Sequence, residues 1–203
     1  MHPTIRLFAL SACLLAGSSG LFAETTPSAP PALARGLLMS HQGRLIFSPC
    51  RERNYLDIRD ASPAQSVTTA LSRLNPDGQP LYVEFFATLD TGQLTVSGLN
   101  FAHTDARCHA PRLGTGWRAL GNPSPWRLDT FNGQAQLTRA DGSSETRAVT
   151  VQEAPDGSSR MTTDDTPGTP WQFAPKLCEL PAQGIVTGWT AQGPAGPGCG
   201  WKP

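Results

Sequence analysis

Apolar and polar side chains alternate over short runs along most of this chain, the period of half-buried strands, and one stretch carries the period of a helix. In Gly43 to Pro49 the apolar residues Leu45 and Phe47 fall on one face, and Tyr55 to Ile58 forms a second short run. Val67, Ala70, Leu71 and Leu74 then recur at spacings of three and four. That spacing predicts a helix with Ser62 as its cap and Pro63 at its first position, where no backbone donor is missed. Asn75-Pro76-Asp77-Gly78 stops it, and Leu81 to Leu89 and Gln93 to Leu99, joined through Asp90-Thr91-Gly92, read as a hairpin. Beyond Pro111 the texture becomes a meander: Trp126 to Phe131, Gln134 to Arg139 and Thr146 to Gln152, with turns at Asn132-Gly133, Asp141-Gly142 and Asp156-Gly157. Asn-Gly and Asp-Gly supply the positive φ angles of two-residue hairpin turns, so these strands should pair antiparallel in chain order.

With 20 Gly and 19 Pro among 203 residues, turns are frequent and long helices few, which agrees with a mainly β fold. The five Trp all lie beyond residue 116, a composition shift that supports a first domain over 36–111 and a second, antiparallel β domain over 112–203. Residues 24–35, rich in Pro, Ala, Ser and Thr without periodicity, read as a flexible linker.

The N-terminus sets the compartment. Arg6 precedes the apolar run LFALSACLLA, small residues follow, and Leu21-Phe22-Ala23 is an acceptable signal-peptidase site, so residues 1–23 read as a signal peptide and the periplasm as the destination. The alternative is lipoprotein processing at Cys13, since Leu10-Ser11-Ala12-Cys13 fits a lipobox and would leave a lipid anchor. The run is too short for a spanning helix, which needs about 20 apolar residues, so no transmembrane span is expected after signal removal. The 16 Lys and Arg balance 16 Asp and Glu, which offers no field for nucleic acid or anionic lipid. Four cysteines remain after export, Cys50, Cys108, Cys178 and Cys199, and an even number in an oxidising compartment argues for disulfides. Of the three connectivities, nearest-neighbour pairing, Cys50 with Cys108 and Cys178 with Cys199, would staple each half of the chain. Closing loops of those lengths removes about 4 and 3 kcal/mol of denatured-state freedom on the chain-entropy model.

Catalytic machinery is not visible. No G-x-S-x-G elbow occurs, and His41, His103 and His109 lack neighbouring partners of a triad type. Cys108-His109 lacks the paired spacing of metal ligands, Asp164-Asp165, Glu84, Asp129 and Glu153 show no glycosidase arrangement, and no calcium loop is present. We therefore expect neither an enzyme nor a metal or other cofactor. Trp126 and Trp171 are candidates to stack on a ligand, with Tyr82 as a third aromatic contact, although their place in strand-like runs suits packing as well.

Two segments resemble known families. The run GRLIFSPCRERNYLDIRD, the helix, and GQPLYVEFFATL are similar to the C-terminal OB-type domain of the NlpE envelope lipoproteins, over residues 36–110. The resemblance implies a small five-stranded barrel with one helix, and a second cysteine at a comparable distance, which Cys108 supplies. Gly121-Asn122-Pro123-Ser124-Pro125-Trp126, with Leu177-Cys178 and Gly198-Cys199-Gly200, resembles a group of uncharacterised bacterial envelope proteins with G-N-E-P-F-W and a closing G-C-G. Here Pro123-Ser124-Pro125 replaces the E-P-F core, the segment after Cys178 lacks the group's M-S-G-x-x-Y-P, and the N-terminal C-x-x-C domain of NlpE is missing.

The expectation is thus an OB-like barrel followed by an antiparallel β-meander or barrel. It would act as a non-catalytic periplasmic accessory protein of the envelope, binding a protein, peptide or glycan, with envelope stress or homeostasis as its setting. The alternative is an inhibitor of a lysozyme-like or proteolytic enzyme, for which Gly193 to Gly198 would be the exposed loop.

Overall fold

A computed structural model describes residues 30–108, 115–163 and 168–202. The signal segment, Cys13, His109 and Asp164-Asp165 lie outside the described residues, as does the linker up to residue 29.

Five strands and one helix form the first half: β1 (Ala32–His41), β2 (Arg44–Pro49), β3 (Leu56–Asp60), α1 (Ser66–Leu74), β4 (Leu81–Asp90) and β5 (Gln93–His103). Around the ring the order is β1-β2-β3-β5-β4 and back to β1, with β3 and β5 parallel and every other pair antiparallel. This is the closed OB arrangement, with the helix between β3 and β4. Alternation turns Phe47, Val83, Phe85 and Val96 inward, and α1 closes the barrel with Val67, Ala70 and Leu71. The chain enters this barrel earlier than the linker reading allowed. Ala32 to Arg35 belong to β1 because Leu33 and Ala34 pair with Phe86 and Phe85 of β4.

The helix also begins later than its sequence cap suggested. Residues Pro63–Gln65 form a 3-10 turn in which Ala64 and Gln65 have positive φ, and the α-helix starts at Ser66. Its cap is composite: the Ser62 hydroxyl accepts the Val67 N–H at 3.1 Å, and Asp60 accepts four hydrogen bonds, from N–H and hydroxyl of both Ser62 and Thr68. Burial pushes the Asp60 carboxyl up, but those bonds outweigh it and hold the group below its ordinary value of 3.8. Because folding lowers this pKa, the contribution to stability is complete above the ordinary carboxylate range and is lost as pH falls through the folded value. Asp60→Ala should cost about 1–3 kcal/mol at neutral pH, and its deficit relative to wild type should shrink in acid. Urea unfolding at a series of pH values checks both expectations.

Eight further strands form the second half: β6 (Thr115–Gly121), β7 (Trp126–Phe131), β8 (Gln134–Arg139), β9 (Ser144–Glu153), β10 (Ser159–Thr163), β11 (Trp171–Leu180), β12 (Ile185–Gly193) and β13 (Gly196–Trp201). Each pairs antiparallel with the next, and β13 returns to β6, so the meander closes into an eight-stranded barrel. Asn132-Gly133 makes the expected two-residue turn between paired Phe131 and Gln134. The two Asp-Gly turns are longer. Asp141 accepts from N–H and hydroxyl of Ser143, and Asp156 does the same with Ser158, so each carboxylate organises a wider loop.

The halves are joined by a shared strand. Ile185 to Thr187 of β12 pair with β5, whereas Trp189 to Gly193 pair with β13, so one edge of β12 serves both barrels in turn. Gly188 marks the change of partner, where an added Cβ would lie 1.9 Å from the Leu99 carbonyl oxygen. Val186 and Leu177 of the second half accordingly pack into the first core. The break expected at 111 lies outside the described residues; the barrels on either side of it are continuous through hydrogen-bonded sheet. Both expected disulfides are present, Cys50–Cys108 spanning 58 residues and Cys178–Cys199 spanning 21. They mark an oxidising, extracytoplasmic setting. Among the described residues no helix is long and apolar enough to cross a membrane.

Candidate functional site

The three aromatic residues named as ligand contacts are all buried: Tyr82 is 2%, Trp126 6% and Trp171 5% exposed. Tyr82 does point outward from the OB barrel, but the second barrel covers that face. Its hydroxyl donates to Glu84 Oε1 at 2.7 Å, and burial, reinforced by that carboxylate, raises its pKa. Trp126 and Trp171 meet edge to face at 4.8 Å inside the eight-stranded barrel. Trp126 lies over the paired Gly121 and Gly198, where a Cβ would fall 2.4 and 2.7 Å from the indole. Alternation aims these rings inward, and barrel closure makes inward mean buried. Trp171 also borders a cavity.

A solvent-facing site is built on the OB barrel instead. Met39 of β1, Ile46 of β2 and Asp57 of β3 are successive cross-strand partners and form one row on the outer face. The β1–β2 turn adds His41 and Arg44, the β4–β5 turn adds Gly92, and Tyr55 stands before β3, together lining a groove of about 460 Å³. Two short turns keep the hairpins low there: Gln42-Gly43 and Thr91-Gly92 take positive φ at both positions. Tyr55 is 64% exposed, the largest unburied aromatic surface near any groove described. Arg44 Nη1 lies 3.5 Å from Asp57 Oδ1 in an exposed pair, worth little to stability and available to a ligand. The groove thus combines an aromatic face, an apolar strip and a guanidinium–carboxylate pair. Its components come from residues 39–46, 55–57 and 92, too far apart in the chain for a motif. The sequence signal was an aromatic at the end of the hydrophilic run Arg51 to Asn54.

The remaining candidates serve the frame. His103 Nδ1 accepts the Asp105 N–H at 2.6 Å and its ring stacks on Phe101. Burial pushes the Asp129 carboxyl up, but Arg127 and Arg118 outweigh it and hold the group below the usual carboxylate range. Glu153 pairs with Lys202, whose ammonium also sits 5.1 Å from the Trp117 ring. Among the described residues no group of three or more His, Cys, Asp and Glu side chains converges as metal ligands do. Gly193 to Gly198, named as an inhibitory loop, is the end of a β-hairpin, with Gly193 paired to Gly196 and only Pro194 and Ala195 at its tip. No family model, curated protein or solved structure matches the chain.

Proposed function

We propose that this is a non-catalytic accessory protein of the bacterial envelope, working in the periplasm in envelope homeostasis, that binds an extended glycan strand along the outer groove of its OB barrel. One observation carries the reading: Tyr55, with most of its surface open to solvent, stands beside the Met39–Ile46–Asp57 row and the Arg44–Asp57 pair. A sugar ring has an apolar C–H face that lies on an aromatic ring, and an edge of hydroxyls that planar guanidinium and carboxylate groups hydrogen-bond. The β2–β3 face with its flanking turns is also where OB barrels hold oligosaccharides and other chains. The periplasmic part of the proposal draws on the disulfides and on the export signal read in the sequence.

Calorimetric titration with soluble peptidoglycan glycan fragments tests this. Saturable binding is expected, weakened about tenfold in Tyr55→Ala, a change equivalent to ~1.4 kcal/mol. Undiminished affinity in that variant contradicts the reading, as does tight binding of envelope peptides with none of glycan. Lysozyme and serine-protease rates should be unaltered by the protein, and slowing of either would favour the inhibitor.

A further inference from the structure

The eight-stranded barrel is filled unevenly. At the end facing the OB barrel, Trp117 stacks on Phe173 at 4.1 Å and meets Trp189 edge-on at 5.3 Å, which closes the interior. Toward the opposite end the inward residues become aliphatic, and Leu128, Leu137, Val149 and Met161, with Trp171 as one wall, leave a cavity of about 220 Å³. An eight-stranded barrel is just wide enough either to be filled by its side chains or to hold one small ligand, and here the two ends take different options.

The mouth of that cavity breaks the alternation rule. Inward positions on β8 run Ala135, Leu137, Arg139, and on β9 Glu145, Arg147, Val149, with Ala135 directly opposite Arg147 and Leu137 opposite Glu145. Charged side chains at inward barrel positions are costly unless they meet water, each other or a polar ligand group. These three form a collar: Arg139 Nη2 donates to Glu145 Oε1 at 2.7 Å and Arg147 Nη2 to Glu145 Oε2 at 3.4 Å. The Arg139 bond holds the Glu145 carboxyl below the usual carboxylate range. All three side chains remain between 36% and 46% exposed, open to a group arriving from solvent.

We propose that this mouth is a second binding site, independent of the OB groove, that takes the acyl chain of a single-chain amphiphile and holds its polar head at the Arg139–Glu145–Arg147 collar. An apolar interior beneath a hydrogen-bonding rim is complementary to a molecule of that polarity. The cavity is smaller than the roughly 300–1,000 Å³ of a site that engulfs a drug-sized ligand, which selects a narrow chain over a fused-ring system. Met161, unbranched and adaptable, lines the position where chain length has to be accommodated.

The test uses the full chain and two probes, the linear polyene fluorophore cis-parinaric acid and a series of linear fatty acids below their micelle concentrations. Saturable one-to-one fluorophore binding is expected, with displacement by the acids, and affinity rising about fourfold for each added methylene until the cavity is full. Thr169→Trp, at an exposed position on the rim, should weaken both probes at least tenfold while leaving glycan binding unchanged. Ala135→Phe, which adds bulk to the cavity wall opposite Arg147, should do the same. The proposal is overturned if the folded wild-type protein shows no saturable binding, if affinity is indifferent to chain length, or if the correctly folded Thr169→Trp protein binds as wild type does. None of these outcomes bears on the OB groove.

Discussion

Replacing Glu84 by alanine is expected to destabilise the folded protein by about 3–5 kcal/mol, the largest effect of any single side chain considered. Glu84 is 7% exposed and lies on the outer face of β4, where the second barrel covers it. Its carboxylate accepts from Arg35 Nε at 3.1 Å, from the Tyr82 hydroxyl at 2.7 Å and from Asn100 Nδ2 at 2.5 Å. Asn100 in turn clasps the end of the chain, donating to the Lys202 carbonyl and accepting the Lys202 N–H at 3.0 Å. Deleting the carboxylate removes the acceptor shared by a shielded guanidinium, a buried phenol and a buried amide, and the Arg35 guanidinium loses its paired carboxylate. Glu84→Gln, which keeps the volume and one acceptor, should cost less. At 2–4 °C per kcal/mol for a chain of this size, Glu84→Ala should lower Tm by roughly 10 °C. Calorimetry of the two variants checks the ranking, and a loss below about 1 kcal/mol in Glu84→Ala would mean that the network adds nothing to the seam.

Gly188→Ala is expected to cost about 3 kcal/mol or more through a different cause, steric and confined to the backbone. The added methyl would sit 1.9 Å from the Leu99 oxygen, 3.0 Å from the Leu99 carbon and 3.6 Å from Asn100 Cα. No side-chain rotation relieves contacts with main-chain atoms, so β12 and β5 have to separate where β12 exchanges β5 for β13. Hydrogen exchange should therefore accelerate at Phe101 to His103 and Ile185 to Thr187 before it does in either barrel's interior. Gly98→Ala, on the same strand β5, is the control: its Cβ would meet only Phe86 at 3.7 Å, an ordinary contact, and little change is expected.

These two residues also show where sequence reading stops. Strands β2, β3, β4, β5, β7, β8 and β9 were legible because alternation and turn chemistry are local. The helix was legible because Val67, Ala70 and Leu71 share a face. Its start was misplaced because Asp60, eight residues before the Thr68 amide it accepts, belongs to a strand. Strand β1 was hidden: no strand is read before Gly43, and Ala32 to Arg35 have no strand signature of their own and are ordered by pairing with β4. Nothing local in Ile185 to Gly193 shows that its first three residues would pair with β5 and its last five with β13, because that choice is tertiary. The aromatic residues were read as a class, but whether a ring is wall or core depends on closure. Tyr55, outside a closed face, stayed exposed, whereas Tyr82 was covered by the second barrel.

Amide chemical-shift mapping of the isotope-labelled protein during titration with a soluble glycan fragment tests the OB groove most directly. The predicted result is a contiguous set of perturbed residues at His41 to Arg44, Ile46, Tyr55, Asp57 and Gly92, saturating together with one dissociation constant. Saturable binding that leaves Arg44, Tyr55 and Asp57 unmoved, or no perturbation at any glycan concentration reached, would contradict it.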